Sequence, residues 1–549
     1  MKYSLLTILL LICLFNVNGQ NKNTAENVII ALNETGTRVY TDGNLLHVAI
    51  SSNDLARFKA AGYVRYSDLG AKGDGKTDDI DAIAATHAIA NRYDLKVKAD
   101  DNATYYISGK ARTAVILTDT DWGKATFIFD DTAVQSRYAS VFAVSSTLQP
   151  FKLQGVASLK KDQKKINAAL PGPCLVTVVN SAVKQYIRFG LNQNNGSPET
   201  DIIAVDKDGN IDMRAPVIWD FDHITDITAL PIDEKVLTIT GGHFITIANK
   251  AESKYTYYAR NILIKRSNVV IDGVEHRIRG EEDHGAPYTG FITVNDCANV
   301  TIKNAVLTAH RTYTTVGAAD KPVRMGTYEL AANRAISVSF INCTQTNSID
   351  DATYWGVLAS NFSKNLLYDH CILSRFDAHQ GVANATIRNS TLGYMGINAI
   401  GSGTLLIENC TVRAQSFVNL REDYGSTWQG NVIIRNSVFV PAGGKPVVAT
   451  LVGGSNSGQH DFGYVCYMPE HITVDNLRID DSAHPDKYNG PAIFANFNPD
   501  MKDASYQEKF PYVITKQVTL KNVATTSGKT LRLSDNLFEF KDVKVDVKN

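Results

Sequence analysis

Nine short stretches in the second half of the chain alternate apolar and polar residues and end in asparagine or a comparable residue. β-Branched side chains fill the alternate positions, as in Asn299–Asn304 (NVTIKN) and Asn431–Asn436 (NVIIRN). Alternation with a period of two predicts a half-buried β-strand, and β-branched residues favour the same structure. The nine stretches are Asn268–Gly273, Asn299–Asn304, Ser337–Asn342, Asn365–His370, Asn384–Asn389, Thr404–Asn409, Asn431–Asn436, His471–Asn476 and Gln517–Asn522.

The spacing of the nine stretches predicts a solenoid. They end at positions 273, 304, 342, 370, 389, 409, 436, 476 and 522, so successive gaps are 31, 38, 28, 19, 20, 27, 40 and 46 residues. A short period that insertions lengthen is typical of stacked coils, and the smallest gaps leave no room for a helix. We therefore predict an all-β fold, a right-handed parallel β-helix (solenoid) whose recurrent asparagines hydrogen-bond from coil to coil.

A glycine-rich segment near the N-terminus precedes a predicted helix. Gly70–Asp79 (GAKGDGKTDD) places two acidic residues before Ile80–Tyr93, which is rich in alanine, and acidic residues suit a helix N-terminus. This segment resembles the opening motif of the pectate-lyase-like superfamily of β-helical enzymes, and Ala125–Asp130 resembles the first coil strand of those proteins. The resemblance implies a helix that caps the open end of the solenoid and an activity on carbohydrate. Members of the superfamily include polysaccharide lyases, polygalacturonase-type hydrolases, epimerases and phage tailspikes.

Four regions follow from these patterns. Residues 1–19 resemble a signal peptide, with Lys2 before the apolar run Leu5–Phe15, which predicts export to the periplasm or the extracellular space. This run is too short to span a membrane. Residues 20–147 are predicted to contain N-terminal strands, the capping helix and the first coils. Residues 148–235 lack the repeat and are predicted to form a β-rich insertion, and residues 236–549 to form the parallel β-helix with the catalytic face.

The net charge of the chain argues against binding to nucleic acid. The 549 residues carry 55 Lys and Arg against 56 Asp and Glu, a formal net charge of −1, so no basic field for nucleic acid is expected.

Cys343, Cys371 and Cys410 directly follow the last residue of a repeat, which favours stacked, buried thiols over disulfides. The chain is expected to be a monomer without a membrane span, and its expected partner is an acidic polysaccharide.

Polar residues precede successive copies of the repeat at similar distances. Because the interior of a β-helix is packed, a ligand is expected on an outer face that long loops flank. Coils that stack in register about 4.8 Å apart would align these residues in one row. The predicted row consists of Asp377, His379, Asn398, Asn419, Arg421 and Tyr424.

This row suits β-elimination from a uronic-acid polymer. Such a lyase needs a cation or strong donors on the substrate carboxylate, a base, and a group that protonates the leaving oxygen. Arg421 is predicted to bind the carboxylate, His379 to act as the base, and Tyr424 to carry the second proton. Asp377 completes the predicted catalytic set. The predicted substrate contacts are Asn398, Asn419, Arg375, Tyr354, Trp355, Arg324 and Tyr328.

A hydrolase is the first alternative, since such an enzyme needs two carboxylic acids and several aspartates are available. Asp350–Asp351, His379–Gly381 and Leu420–Glu422 follow the order of polygalacturonase motifs. The Asn-Thr-Asp of that family and the lysine of its Arg-Ile-Lys are absent, so its catalytic roles do not carry over. Asp350 and Asp351 are also candidates for binding a cation such as calcium.

The leading prediction is a secreted polysaccharide lyase that acts on a glycosaminoglycan or a pectin-like polymer. The hydrolase would use paired aspartates on the same face. A carbohydrate-binding or adhesin-like β-helix is the third alternative, and it would show aromatic residues on the face without any cleavage of substrate.

Overall fold

The strands of this protein stack into a long solenoid with a small separate sheet on its side. The computed structural model describes residues 28–33 and 36–548, so the predicted signal peptide at residues 1–19 lies outside the described residues. Within these ranges, 29 strands form one sheet system that winds through successive coils, and neighbouring coils pair in parallel. In the same part of the chain, no helix combines the length and the apolar character that crossing a membrane requires.

Helices and short strands form the cap and the first coils. They are β1 (Val28–Asn33), β2 (Arg38–Asp42), β3 (Leu45–Ser51), α1 (Ser52–Ala61), β4 (Tyr63–Arg65), β5 (Asp74–Asp78), α2 (Ile80–Tyr93), β6 (Lys96–Lys98), β7 (Thr104–Ile107), β8 (Ala114–Ile116), β9 (Thr120–Asp130) and β10 (Phe142–Val144). Asp79 accepts hydrogen bonds from the amides of Lys72 (2.6 Å) and Gly73 (3.1 Å). It thereby holds the glycine-rich segment against the start of α2. Because α2 buries Ile83 and Ile89 in the solenoid core, it is the predicted capping helix.

An antiparallel sheet is inserted between the first coils and the rest of the solenoid. Its strands are β11 (Phe151–Lys152), β12 (Cys174–Gln185), β13 (Ser197–Val205) and β14 (Asp226–Pro231), in the order β11-β14-β12-β13. Val176, Ile203 and Phe221 belong to a core of its own. A buried ion pair between Lys364 Nζ and Asp201 Oδ1 (2.7 Å) joins this sheet to the solenoid. This sheet lies within residues 148–235, where the sequence predicts a β-rich insertion.

The main solenoid and its loops contain the remaining strands. They are β15 (Leu237–Ile247), β16 (Ile262–Ile264), β17 (Val269–Asp272), β18 (Glu275–Arg279), β19 (Ile292–Asn295), β20 (Ala298–Lys303), β21 (Val306–Leu307), β22 (Tyr313–Val316), β23 (Pro322–Met325), β24 (Leu330–Asn333), β25 (Ile336–Ile341), β26 (Thr344–Gln345), β27 (Leu358–Asn361), β28 (Lys364–Asp369), β29 (Ile372–Arg388), β30 (Thr391–Glu408), β31 (Thr411–Val412), β32 (Ser416–Leu420), β33 (Trp428–Phe439), β34 (Thr450–Gly453), β35 (Cys466–Tyr467), β36 (His471–Ile479), β37 (Ala492–Phe494), β38 (Tyr512–Val513), β39 (Gln517–Thr525) and β40 (Lys544–Lys548).

The repeat strands stack in the register that the sequence predicts. Val269, Val300 and Val338 are successive partners on three coils, and Leu405 pairs with Val432 farther along. All five side chains are buried, so the apolar positions of the repeat line the interior. Because parallel connections of this kind are right-handed, the fold is the predicted right-handed parallel β-helix.

The asparagine that ends a repeat turns the chain at a corner of the coil. Asn304, Asn342 and Asn389 have φ angles of 55°, 53° and 52°, in the left-handed region that asparagine tolerates better than most residues. The amide of Asn342 donates to Asn304 Oδ1 (2.8 Å), which confirms the predicted coil-to-coil ladder. One repeat ends in His370 instead, and there Asp369 accepts the hydrogen bond from the Asn389 amide (2.9 Å).

The cysteines at 174, 297, 343, 371, 410 and 466 are free and buried. Three of them follow the corner residues, and their thiols donate to backbone carbonyls of the coil. Cys371 Sγ, for example, lies 3.3 Å from the carbonyl oxygen of Phe340. The predicted buried thiols are therefore confirmed for these positions.

Candidate active site

Asp377, Asn398 and Asn419 occupy the same position on three neighbouring coils. The strand register pairs Asp377 with Asn398 and Asn398 with Asn419. Phe376 and Ala378, on either side of Asp377, belong to the interior core, so the three polar side chains face outward. The amide of Asn419 donates to Asn398 Oδ1 (2.9 Å). The structure thus brings these three predicted residues together on one outer face.

Arginines and aspartates alternate beside this row. Asp377 accepts hydrogen bonds from Arg375 Nη2 (2.6 Å) and from Arg421 Nη1 (3.1 Å). Arg421 Nη2 also donates to Asp423 Oδ2 (2.7 Å), and Arg188 Nη2 donates to the same oxygen (2.6 Å). Three guanidinium groups therefore face two carboxylates, which leaves an excess of positive charge and of donors for an anionic ligand.

Both carboxylates of this cluster are engaged by arginine. Burial alone would raise the pKa of Asp423, but the Arg421 guanidinium and its neighbours hold that pKa well below its usual range. Asp377 is fully buried between two arginines. Within residues 28–33 and 36–548, Arg188 Nε and two nitrogens of Arg375 have no hydrogen-bond partner. These nitrogens are shielded from solvent, so an anion can approach the cluster only at the partly exposed side chains of Arg188 and Arg421.

Arg188 comes from the insertion and is not one of the predicted site residues. Its loop reaches the hairpin of β22 and β23, where the amide of Ala319 donates to the carbonyl of Leu191 (3.1 Å). The guanidinium carbon lies 4.6 Å from the centre of the Tyr424 ring, within the range of a cation–π contact. Because the insertion lacks the repeat, no pattern in the sequence indicates that Arg188 reaches this face.

His379 ends a second asparagine ladder, which fixes its tautomer. Asn333 Nδ2 donates to Asn295 Oδ1 (3.0 Å), and Asn361 Nδ2 donates to Asn333 Oδ1 (2.8 Å). Since the Asn361 nitrogen is used in this way, its Oδ1 accepts from His379 Nδ1, 2.9 Å away. Nδ1 therefore carries the proton and Nε2 keeps its lone pair. Nε2 is shielded from solvent and has no hydrogen-bond partner among the described residues.

The surroundings of His379 keep its imidazole neutral. Burial and the Arg421 guanidinium lower the pKa of His379 to about 3, although Asp377 and Asp423 oppose them. The ring of Tyr424 meets the imidazole edge-on, with ring centres 5.2 Å apart. Burial raises the pKa of the Tyr424 phenol, so its hydroxyl keeps the proton. A free imidazole lone pair thus lies close to a protonated phenol and a guanidinium.

Arg375, which was predicted to contact the substrate, is instead buried. It is 2% exposed, and its guanidinium carbon lies 5.6 Å from the centre of the Trp355 ring. A Cβ at Gly356 would lie 2.2 Å from Arg375 Cδ, so this loop packs directly on the arginine. Arg375 therefore holds Asp377 in place, and the half-buried Trp355 covers it.

Three other predicted contacts lie at different depths. Tyr328 is half-buried, and after Asp377 and Asp423 it is among the groups that raise the pKa of Arg421 against the effect of burial. Arg324 is exposed on the hairpin of β22 and β23. Tyr354 packs partly against the core, and its carbonyl accepts a hydrogen bond from the Tyr394 hydroxyl. Tyr328 and Arg324 can therefore meet a ligand, whereas Tyr354 supports its loop.

Of the two candidates for binding calcium, Asp350 has both carboxylate oxygens engaged by the protein and Asp351 has one. Asp350 Oδ2 accepts from Arg413 Nη2 (2.7 Å), and Asp351 Oδ1 accepts from the amide of Thr353 (2.9 Å) and from its hydroxyl (2.8 Å). In the part of the chain that the structure describes, no three His, Cys, Asp or Glu residues are grouped to hold a metal ion. Calcium binding at Asp350 and Asp351 stays a prediction, and Asp350 is the less suited of the two because Arg413 already pairs with its carboxylate.

Known proteins resemble this chain mainly in their fold, and no protein-family model matches it. The capsule KL64-specific depolymerase of Klebsiella phage P510 is 30% identical in an alignment of 129 residues that covers 18% of this chain and 13% of that protein. The tailspike gp61 of Pseudomonas phage phi297 is 14% identical, with 84% of this chain and 80% of that chain covered and a TM-score of 0.49. The gp54 tailspike of Acinetobacter baumannii bacteriophage AP22 is 10% identical, with 92% and 81% covered and a TM-score of 0.49.

The strand pairing of this protein identifies its fold. Successive coils pair in parallel from β15 to β40, and the helix α2 covers the first coils. The chain is thus a right-handed parallel β-helix protein, as its resemblance to the pectate-lyase-like superfamily implies.

Proposed function

We propose that this protein is an exported polysaccharide lyase that cleaves a uronic-acid polymer by β-elimination. The observation that carries the proposal is the free lone pair of His379 Nε2 beside the arginines that surround Asp377 and Asp423. A base next to a carboxylate-binding group is the pair that removal of a proton alpha to a uronate carboxylate requires. The partial similarity to a capsule-specific phage depolymerase supports a polysaccharide as the substrate class.

The guanidinium groups would bind and activate the substrate. Arg421 and Arg188 are each partly exposed, so a uronate carboxylate can approach them. Their charge stabilises the enolate-like intermediate that forms when the adjacent carbon loses its proton. The bound carboxylate also offsets the charge of Arg421, which is one cause of the low pKa of His379. Substrate binding therefore makes His379 a stronger base at the moment when it is needed.

The elimination itself needs one acceptor and one donor of a proton. His379 Nε2 takes the proton from C5 of the uronic acid, and the electrons of that bond form the C4–C5 double bond as the C4–O bond breaks. Tyr424 is placed edge-on to His379 and keeps its proton because burial raises the pKa of the phenol. Tyr424 is therefore the proposed donor to the leaving oxygen.

A hydrolase finds less support in this geometry. The general acid of a glycosidase is a carboxylic acid whose pKa is raised. Here Asp423 has a pKa well below its usual range because of Arg421, and Asp377 is held by two arginines. Two carboxylates held by arginines suit the positioning of guanidinium groups better than the donation of a proton.

The test is incubation with a panel of polymers that contains polygalacturonate, alginate, hyaluronan, chondroitin sulfate and heparin. A lyase increases the near-ultraviolet absorbance, because each cut leaves an unsaturated uronic acid. New reducing ends without this absorbance would support the hydrolase instead. Binding without any new ends would support the adhesin-like alternative.

A further inference from the structure

A cleft of about 670 Å³ lies between the insertion and the first coils. On one side are Thr177 of β12 and Thr228 of β14, which are direct partners in the inserted sheet. On the other side are Ala143 of β10 and Leu263 of β16, whose neighbours on both sides belong to the solenoid core. The cleft is therefore a gap between two sheets, and its volume is that of a pocket for a small ligand.

The lining of this cleft is rich in hydroxyl groups. Eight of its 19 lining residues are serine, threonine or tyrosine, and each hydroxyl both donates and accepts hydrogen bonds, as the hydroxyls of a sugar do. Tyr138 is 71% exposed and presents an aromatic ring to the cleft. Lys265 is exposed and has no ion-pair partner among the described residues, so it can bind a carboxylate.

The cleft and the candidate active site lie along the same sheet. β16, β19, β24, β27 and β29 are successive partners, so four coil spacings separate the coil of Leu263 from that of Asp377. At about 4.8 Å per coil the separation is roughly 19 Å. The insertion contributes to both places, with Thr177 and Thr228 in the cleft and Arg188 at the candidate active site.

We propose that this cleft is a second carbohydrate-binding site that holds the polysaccharide at a distance from the bond that is cleaved. Its ligand class is an acidic oligosaccharide, with sugar hydroxyls on the serines and threonines and a carboxylate at Lys265. The proposal rests on the proposed function for its substrate class, and its test measures binding rather than cleavage.

The test uses affinity electrophoresis in gels that contain polygalacturonate, alginate, hyaluronan, chondroitin sulfate or heparin. The full chain with His379→Ala is the starting protein, so that a polymer is not degraded during the run. Lys265→Ala and Tyr138→Ala are added singly, and each is expected to weaken binding of the retarding polymer about five-fold. Lys124→Ala, an exposed lysine outside the cleft, is the matched control and should leave the retardation unchanged.

A third variant, Thr177→Trp, fills the cleft and should abolish most of the retardation. Thermal unfolding shows whether this variant is folded, and the two alanine variants decide the question if it is not. Equal retardation of the starting protein, Lys265→Ala and Tyr138→Ala, or no retardation by any polymer, overturns the cleft proposal. If Lys265→Ala and Tyr138→Ala reduce the retardation but the unsubstituted chain forms no unsaturated product, the lyase proposal is overturned and the cleft proposal stands.

Discussion

The imidazole nitrogen Nδ1 of His379 lies 2.9 Å from Oδ1 of Asn361, the last amide of a ladder that runs across three coils. This contact does two things at once. It orients the ring, and it assigns the proton to Nδ1, because the amide nitrogen of Asn361 already donates to Asn333. The amide ladder of the solenoid thus leaves Nε2 with a free lone pair.

His379→Ala should remove the lyase activity by at least about 100-fold, because the proton acceptor is lost. The thermal unfolding temperature should fall only modestly, since the substitution removes one hydrogen bond, from Nδ1 to Asn361 Oδ1, and Nε2 has no partner among the described residues. His471→Ala, which removes an exposed histidine at the start of β36, is the matched control and should keep full activity. Full activity of His379→Ala in the absorbance assay would exclude His379 as the base.

Asn361→Asp should raise the pKa of His379, because a carboxylate next to Nδ1 stabilises the protonated ring. With the pKa of His379 at about 3, the unsubstituted protein should lose no activity through this residue above about pH 5. In Asn361→Asp the acid limb of kcat/KM should move to higher pH. The measurement is kcat/KM from about pH 4 to about pH 8, and superimposable profiles would contradict the role of the ladder.

Arg188→Ala should raise KM about ten-fold and change kcat less, because one of the groups that bind the substrate carboxylate is lost. Its loss also leaves Asp423 with one arginine fewer. The matched control is Arg478→Ala, which removes an exposed arginine on another part of the solenoid. An unchanged KM in initial-rate measurements would show that the insertion does not contribute to substrate binding.

His310 should stabilise the protein at acidic and neutral pH and lose this effect at alkaline pH. Burial opposes its charge, but Glu281 Oε1 at 2.9 Å and Glu329 Oε1 at 3.2 Å raise the pKa of His310 to about 9. Because the folded pKa exceeds the unfolded value, the stabilisation is complete below about pH 6.5 and disappears as the pH passes about 9.

The size of this effect can be measured by urea unfolding of His310→Gln. The substitution should remove a pH-dependent free energy of about 3 kcal/mol between about pH 6 and about pH 10. The exposed His223 provides the control variant His223→Gln, which should keep the slope of the unsubstituted protein. Parallel stability curves for His310→Gln and the unsubstituted chain would disprove the prediction.

Lys364→Met should destabilise the protein by about 3 to 5 kcal/mol, because it leaves the Asp201 carboxylate buried without its cation. The pair is fully enclosed and joins the insertion to β28. Lys516→Met breaks an exposed pair with Glu470 and should cost less than about 1 kcal/mol. Equal changes in the free energy of unfolding for the two variants would contradict a structural role for the buried pair.

The repeat strands illustrate what a local pattern can predict. In NVTIKN the alternation of Val300 and Ile302 with polar residues predicts a strand. The short spacing between the copies of this repeat predicts stacked coils. Asn304 and Asn342 mark the corners because asparagine accepts a left-handed backbone. The outward row of Asp377, Asn398 and Asn419 then follows from the register alone.

The amino-acid sequence by itself determined the β-helix, its cap and the face that carries His379 and Arg421, because strand periodicity and repeat spacing are local properties. Only the tertiary structure decided that Asn361 sets the tautomer of His379, that Arg375 is buried beneath Trp355, and that Arg188 joins the cluster. The first two contacts join neighbouring coils, whereas the third joins residues that are 235 positions apart along the chain. They depend on how the insertion and the long loops pack on the solenoid, which no pattern within a single strand encodes.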